Sequence, residues 1–236
     1  MVPATREAYV IVTPNGQALR MSGYEDRLMG PWGFMVEAKT GTGLVRLHTG
    51  AVGSHEATES ARGRLAEYRR REVTNGPVRI LALEMSEPAY TTFLWQGTHH
   101  EVSATIGGTQ VPFEAFMEIL AHFHIVDRED GVVLRPKTGS GASLRMQLAA
   151  NTLVGVCAMT VKPVEAVRQN LPRHAGKVVS GGIMWQAMEQ MPGGRVRQAI
   201  IANDTAAVLL DTDQPDSTDF VDVVSAMRID LTETVP

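Results

Sequence analysis

The sequence predicts an α+β protein built as two tandem related units, each an antiparallel sheet with flanking helices, the pair set about a pseudo-twofold. Two observations carry this. From Phe93 the chain reads FLWQGTHHEVSATI and then, past Pro112, FEAFMEILAHFHIVD; from Ile200 it reads IIANDTAAVLLDT and then, past Pro215, DSTDFVDVVSAMRID. In each, an apolar run reaches a polar turn ending in Thr (Gln96-Gly97-Thr98, Asn203-Asp204-Thr205) and a second apolar run follows, the pattern of a hairpin. The second observation is helical periodicity. Phe116, Ile119, Leu120 and Phe123 match Phe220, Val223, Val224 and Met227 at the spacing of one helix face.

The elements follow in order. Tyr9–Thr13 and Ala18–Met21 flank Pro14-Asn15-Gly16 and read as a hairpin. Leu44–Val52 and Leu153–Thr160 read as equivalent strands, each leading into a helix. The first helix begins at Ser54 and runs on through the arginines at 62, 64, 69, 70 and 71, although Gly63 costs it about 1 kcal/mol relative to Ala. Pro163 opens the second and Pro172 stops it. Val78–Met85, Tyr90–Trp95, Lys177–Met188 and Val196–Ala202 return as meandering strands. The repeat divides the chain into residues 1–127 and 128–236. SLRM at 143–146 mirrors ALRM at 18–21, which makes 22–43 an insertion in the first copy. A rival alignment pairs KTGTG at 39–43 with KTGSG at 137–141 and shifts the boundary of the unit.

This element order, with the aromatic-rich PWGF at 31–34, resembles the Mog1/PsbP-like fold, an antiparallel sheet flanked by helices. The resemblance implies a binding or assembly role rather than catalysis. The chain lacks the signal peptide and lipobox cysteine of that family's lipoproteins, since its opening apolar run is short and Glu7 comes early.

Composition sets the other bounds. Among 236 residues, 44% are hydrophobic and 20% charged, ordinary values for a globular chain. No apolar window is long enough for a membrane helix, and with a single cysteine, Cys157, no internal disulfide can form, so the expected location is cytoplasmic. A formal net charge of −4 argues against nucleic acid as partner.

No motif carries chemistry, so no catalytic, cofactor-binding or metal-binding residue is assigned. His99 and His100 are adjacent in a strand and diverge, as do His122 and His124 at a helix end. KTGTG and KTGSG match the Lys-Thr-Gly element of serine β-lactamases, but no Ser-x-x-Lys accompanies them. Neither glycine-rich phosphate loop occurs. Cys157 sits in an apolar strand and reads as an inert thiol. The segment 22–43 stands apart: Tyr24, Trp32 and Phe34 lie in a stretch without a counterpart, and they read either as recognition residues for a protein partner or as a further core strand.

The expected function is a non-catalytic bacterial adaptor, chaperone or assembly protein that binds another polypeptide, with self-association as one form. The alternatives are an enzyme or small-molecule binder using a cleft between the repeats, and a structural subunit of a larger assembly.

Overall fold

The computed structural model describes residues 9–23, 25–41, 43–191, 194–214 and 216–232. The start of the chain read for a leader, Tyr24, Thr42 of the first KTG segment, and the last four residues lie outside them. In chain order the elements are β1 (Tyr9–Val12), β2 (Ala18–Ser22), β3 (Gly33–Thr40), β4 (Gly43–Ala51), α1 (Ser54–Ala61), β5 (Arg69–Asn75), β6 (Val78–Met85), β7 (Tyr90–Gln96), β8 (His100–Gly107), α2 (Phe113–Ala121), β9 (Phe123–Arg128) and β10 (Gly131–Pro136). Then follow β11 (Ser143–Leu153), β12 (Cys157–Pro163), α3 (Val164–Val167), β13 (Lys177–Val179), β14 (Gly182–Met191), β15 (Gly194–Ala202), β16 (Ala206–Thr212), α4 (Thr218–Ala226) and β17 (Arg228–Thr232).

These elements gather into two compact units. Over the described residues the central unit holds 12–16 and 33–146, and the terminal unit holds 9–11, 17–32 and 147–232. The sequence boundary at 127/128 falls inside β9, which pairs antiparallel with β10 within the central unit from Gly131 opposite Arg128 to Pro136 opposite Phe123. In the terminal unit the early strand β2 pairs antiparallel with the last strand, Ala18 opposite Thr232 and Ser22 opposite Arg228.

Strand order within each unit repeats. The central unit runs β3-β4-β8-β7-β6-β5 and the terminal unit β11-β12-β16-β15-β14-β13. In the central core, buried Val36, Leu47, Phe93 and Val102 on the sheet receive Phe116, Ile119 and Leu120 from α2. The Phe93 and Phe116 rings stack at 5.4 Å between centroids. In the terminal unit Phe220, Val223 and Val224 of α4 are equally buried. Of the stripes read from sequence, the three positions on each helix face inward, whereas Phe123 opens β9 and Met227 lies past the end of α4, both buried.

The α+β class is corrected: the chain is mostly β, with 55% of the described residues in strands and 18% in helices, counting four α-helices and three short 3-10 turns. Two of those helices are shorter than the sequence suggests. α3 has 4 residues. α1 stops at Ala61 because Gly63 takes φ 72°. There the Gly63 N–H donates to Ser60 O at 2.9 Å and the Arg64 N–H to Glu59 O at 3.0 Å, the two bonds of a glycine-terminated helix end. The arginines expected on the helix's second half therefore leave it, and Arg69, Arg70 and Arg71 lie on β5. Residues read as an insertion also form a regular strand. In β3, buried Phe34, Val36, Ala38 and Thr40 alternate with more open neighbours, and the strand pairs with β4 from Phe34–Thr49 to Thr40–Gly43. Its place in the strand order is held by β11 in the terminal unit, whereas ALRM lies on β2.

Candidate functional site

Of the residues read from sequence as partner-binding, Trp32 is 4% exposed and Phe34 8% exposed, so neither offers surface to a partner; Tyr24 lies outside the described residues. The histidines do not converge either, and among the described residues no group of three His, Cys, Asp or Glu side chains is placed to hold a metal. His100 and its neighbours serve a loop: Asp127 accepts the Thr98 N–H at 2.7 Å, the His99 N–H at 2.9 Å and pairs with His100 Nδ1 at 3.0 Å. Burial opposes ionisation of Asp127, but these bonds hold its carboxyl below the usual range. Cys157 is 5% exposed, and burial, with the Asp211 charge beside it, pushes its thiol up to about 12, so it is a poor nucleophile.

Two other features stand out. The first is the edge of the terminal sheet. β14 pairs with β15 along its length, from Ile183–Ala202 to Met191–Gly194. On its other side β13 pairs only Lys177 with Met184, Val178 with Ile183 and Val179 with Gly182. The chain before β13 reaches as far as Trp185, whose Nε1–H donates to His174 O at 2.9 Å. From Gln186 to Met191 every residue is exposed, and among the described residues no strand pairs with that edge.

The central unit shows the contrast. There β5 covers β6 from Asn75–Val78 to Arg69–Glu84. The rim is charged as well: Arg70 reaches Glu56 at 2.8 Å and Arg79 reaches Glu72 at 2.9 Å. Charged side chains on an edge strand discourage pairing with another chain. The six residues Gln186–Met191 carry one charge, Glu189, and expose Met188 and Met191 by 43% and 47%.

The second feature is a polar cavity of about 320 Å³ between α1 and a floor made by β4 and β8. Glu59 is the one α1 residue that is buried, so this helix stands over its sheet on polar rather than apolar side chains. Its start is fixed by Glu101, 2% exposed, which accepts the Gly53 N–H at 2.8 Å, the His55 N–H at 2.6 Å, the Ser54 hydroxyl at 2.8 Å and Gln96 Nε2–H at 3.1 Å. Gly50, opposite Glu101 on β4, leaves room for this, since a Cβ there would lie 2.6 Å from the Ser54 oxygen. The far end is fixed by Glu59, which accepts the Tyr68 hydroxyl at 2.8 Å and Arg62 at 2.9 Å. Burial works against the charge of Glu59, and the Tyr68 bond, nearby His55 and Arg62 outweigh it, keeping the carboxyl below its usual range. Burial pushes the Tyr68 phenol well up, assisted by its bonds to Tyr90 and Glu59. His48 is held below the ordinary imidazole range by desolvation and by His55 and Arg46.

The corresponding place in the terminal unit is apolar. Register along the hairpins sets Ala207 and Leu209 of β16 where β8 has Glu101 and Ser103, and Thr160 of β12 where β4 has His48. The space there shrinks to about 180 Å³ under Val167 and Leu171. Sequence reading missed the cavity because Glu101, Ser103 and Thr105 alternate with core residues of an apolar strand; the signal was the polar face of Ser54, His55, Thr58 and Glu59.

No protein-family model, curated protein or solved structure matches this chain. Among the described residues no helix is long and apolar enough to cross a membrane.

Proposed function

We propose that this protein is a non-catalytic binding protein that captures an extended segment of another polypeptide as an added strand on β14. The observation that carries the reading is that β13 ends its pairing at Met184 and that no strand of the described residues pairs with Gln186–Met191 on that edge. A strand edge presents backbone donors and acceptors on alternate residues, and a partner strand supplies affinity through main-chain bonds and selectivity through alternate side chains. Support for an extended strand as the occupant comes from the central unit, where β5 lies on β6 as an antiparallel strand of 7 residues. Weak edge protection, with methionines that adapt to varied surfaces, suits recognition of a chain segment.

The test is selection from displayed random peptides of about seven residues, the length of β5. Binders are expected that lose tenfold or more in affinity when Met188→Lys places a charge on the edge. Binders indifferent to that substitution, or a failure to select any, would contradict the reading. A second copy of the chain as occupant would show as dimerisation that Met188→Lys abolishes.

A further inference from the structure

The cavity under α1 has an unusual balance of used and unused polar groups. Its two carboxylates are satisfied within the protein: Glu101 accepts from Gly53, Ser54, His55 and Gln96, and Glu59 accepts from Tyr68 and Arg62. The groups left over are of a different kind. His55 Nε2 is buried without a hydrogen-bond partner. Ser103 is 5% exposed, and no bond of its hydroxyl is found among the described residues. His48, an exposed residue, stands directly opposite Ser103 in the β4/β8 register, on the same face of the sheet, and no bond of its imidazole is found among the described residues. Directly opposed residues hold their Cβ atoms about 5 Å apart, so one molecule can touch both.

We propose that this cavity is a binding site for a small neutral molecule rich in hydroxyl groups, held by His48 and Ser103 beside His55. The volume of about 320 Å³ equals that of about ten waters at roughly 30 Å³ each, room enough for a small cyclic polyol. Imidazole and hydroxyl groups donate and accept single hydrogen bonds, which suits hydroxyls on the ligand. A cation would find no carboxylate oxygen free of a donor, and an anion would be brought against Glu59 and Glu101. The cavity lining contains no Phe, Tyr or Trp ring, which disfavours ligands that bind by stacking on a large aromatic face. A buried polar group without a partner costs stability, and a ligand that supplies the partner recovers it. The terminal unit, with Thr160 and Leu209 in these places and about 180 Å³ of mostly apolar space, has no such site. The inference is independent of strand addition at β14.

The experiment titrates the full chain with myo-inositol, D-glucose and glycerol, and with gluconate and glucosamine as charged controls, following the imidazole resonances of His48 and His55 by NMR. At least one neutral polyol is expected to shift both resonances saturably, with the charged analogues about tenfold weaker. Ser103→Ala is expected to weaken that polyol about tenfold while leaving the melting temperature unchanged or higher, because it removes a hydroxyl without a protein partner. Three results would each overturn the proposal: no saturable shift with any neutral polyol, equal or tighter binding of a charged analogue, or undiminished binding to Ser103→Ala.

Discussion

The Glu101 carboxylate accepts the backbone N–H of His55 at 2.6 Å, tying a buried acid on β8 to the first turn of α1. Glu101→Gln keeps the shape but sets an NH2 against the N–H of either Gly53 or His55, which bond different oxygens of the carboxylate. A loss of about 2–3 kcal/mol is expected, since bonds to a charged group and the desolvation of a stranded donor are each of that order. Urea unfolding of the two proteins measures it.

Phe116 and Phe220 are both fully buried, one on α2 and one on α4. Truncation of either to Ala should cost about 3–5 kcal/mol. Denaturant midpoints at constant m-value check this. A cost below 1 kcal/mol at one position would mean that its helix does not anchor its own unit.

Stability should fall on acidification in two stages. His48 has a folded pKa below the 6.5 of the free imidazole. As pH drops through 6.5 the unfolded chain takes up the proton first, so stability declines until the folded pKa is passed. The depressed carboxyls of Glu59 and Asp127 contribute stability above their unfolded values of 4.5 and 3.8, and lose it as pH falls through their lower folded values. His48→Gln should flatten the stage just below pH 6.5 and leave the acid stage in place, as read by thermal melts across pH.

Sequence reading located both hairpin-and-helix repeats because the stripes at Phe116 and Phe220 and the turns at Gln96-Gly97-Thr98 and Asn203-Asp204-Thr205 are local patterns. It overestimated helix because it did not weigh Gly63 as a stop, and the charged run Arg69-Arg70-Arg71 reads the same on an exposed strand as on an exposed helix. Trp32 and Phe34 drew attention as aromatic residues among glycines, yet the alternation Phe34, Val36, Ala38 already marked a half-buried strand. The candidate surfaces were not legible. An open edge depends on where a neighbouring strand ends, and the cavity depends on His48 and Ser103 meeting across two strands more than fifty residues apart in the chain.

The most direct measurement of strand capture is amide hydrogen exchange at Gln186–Met191, in the free chain and with a selected peptide bound. In the free chain, alternate amides of this segment should exchange fast, as donors facing solvent, while those bonded to β15 stay protected. The peptide should slow the fast set and leave the others unchanged. Uniform protection in the free monomer, or protection by peptide at Arg69–Asn75 instead, would contradict the account.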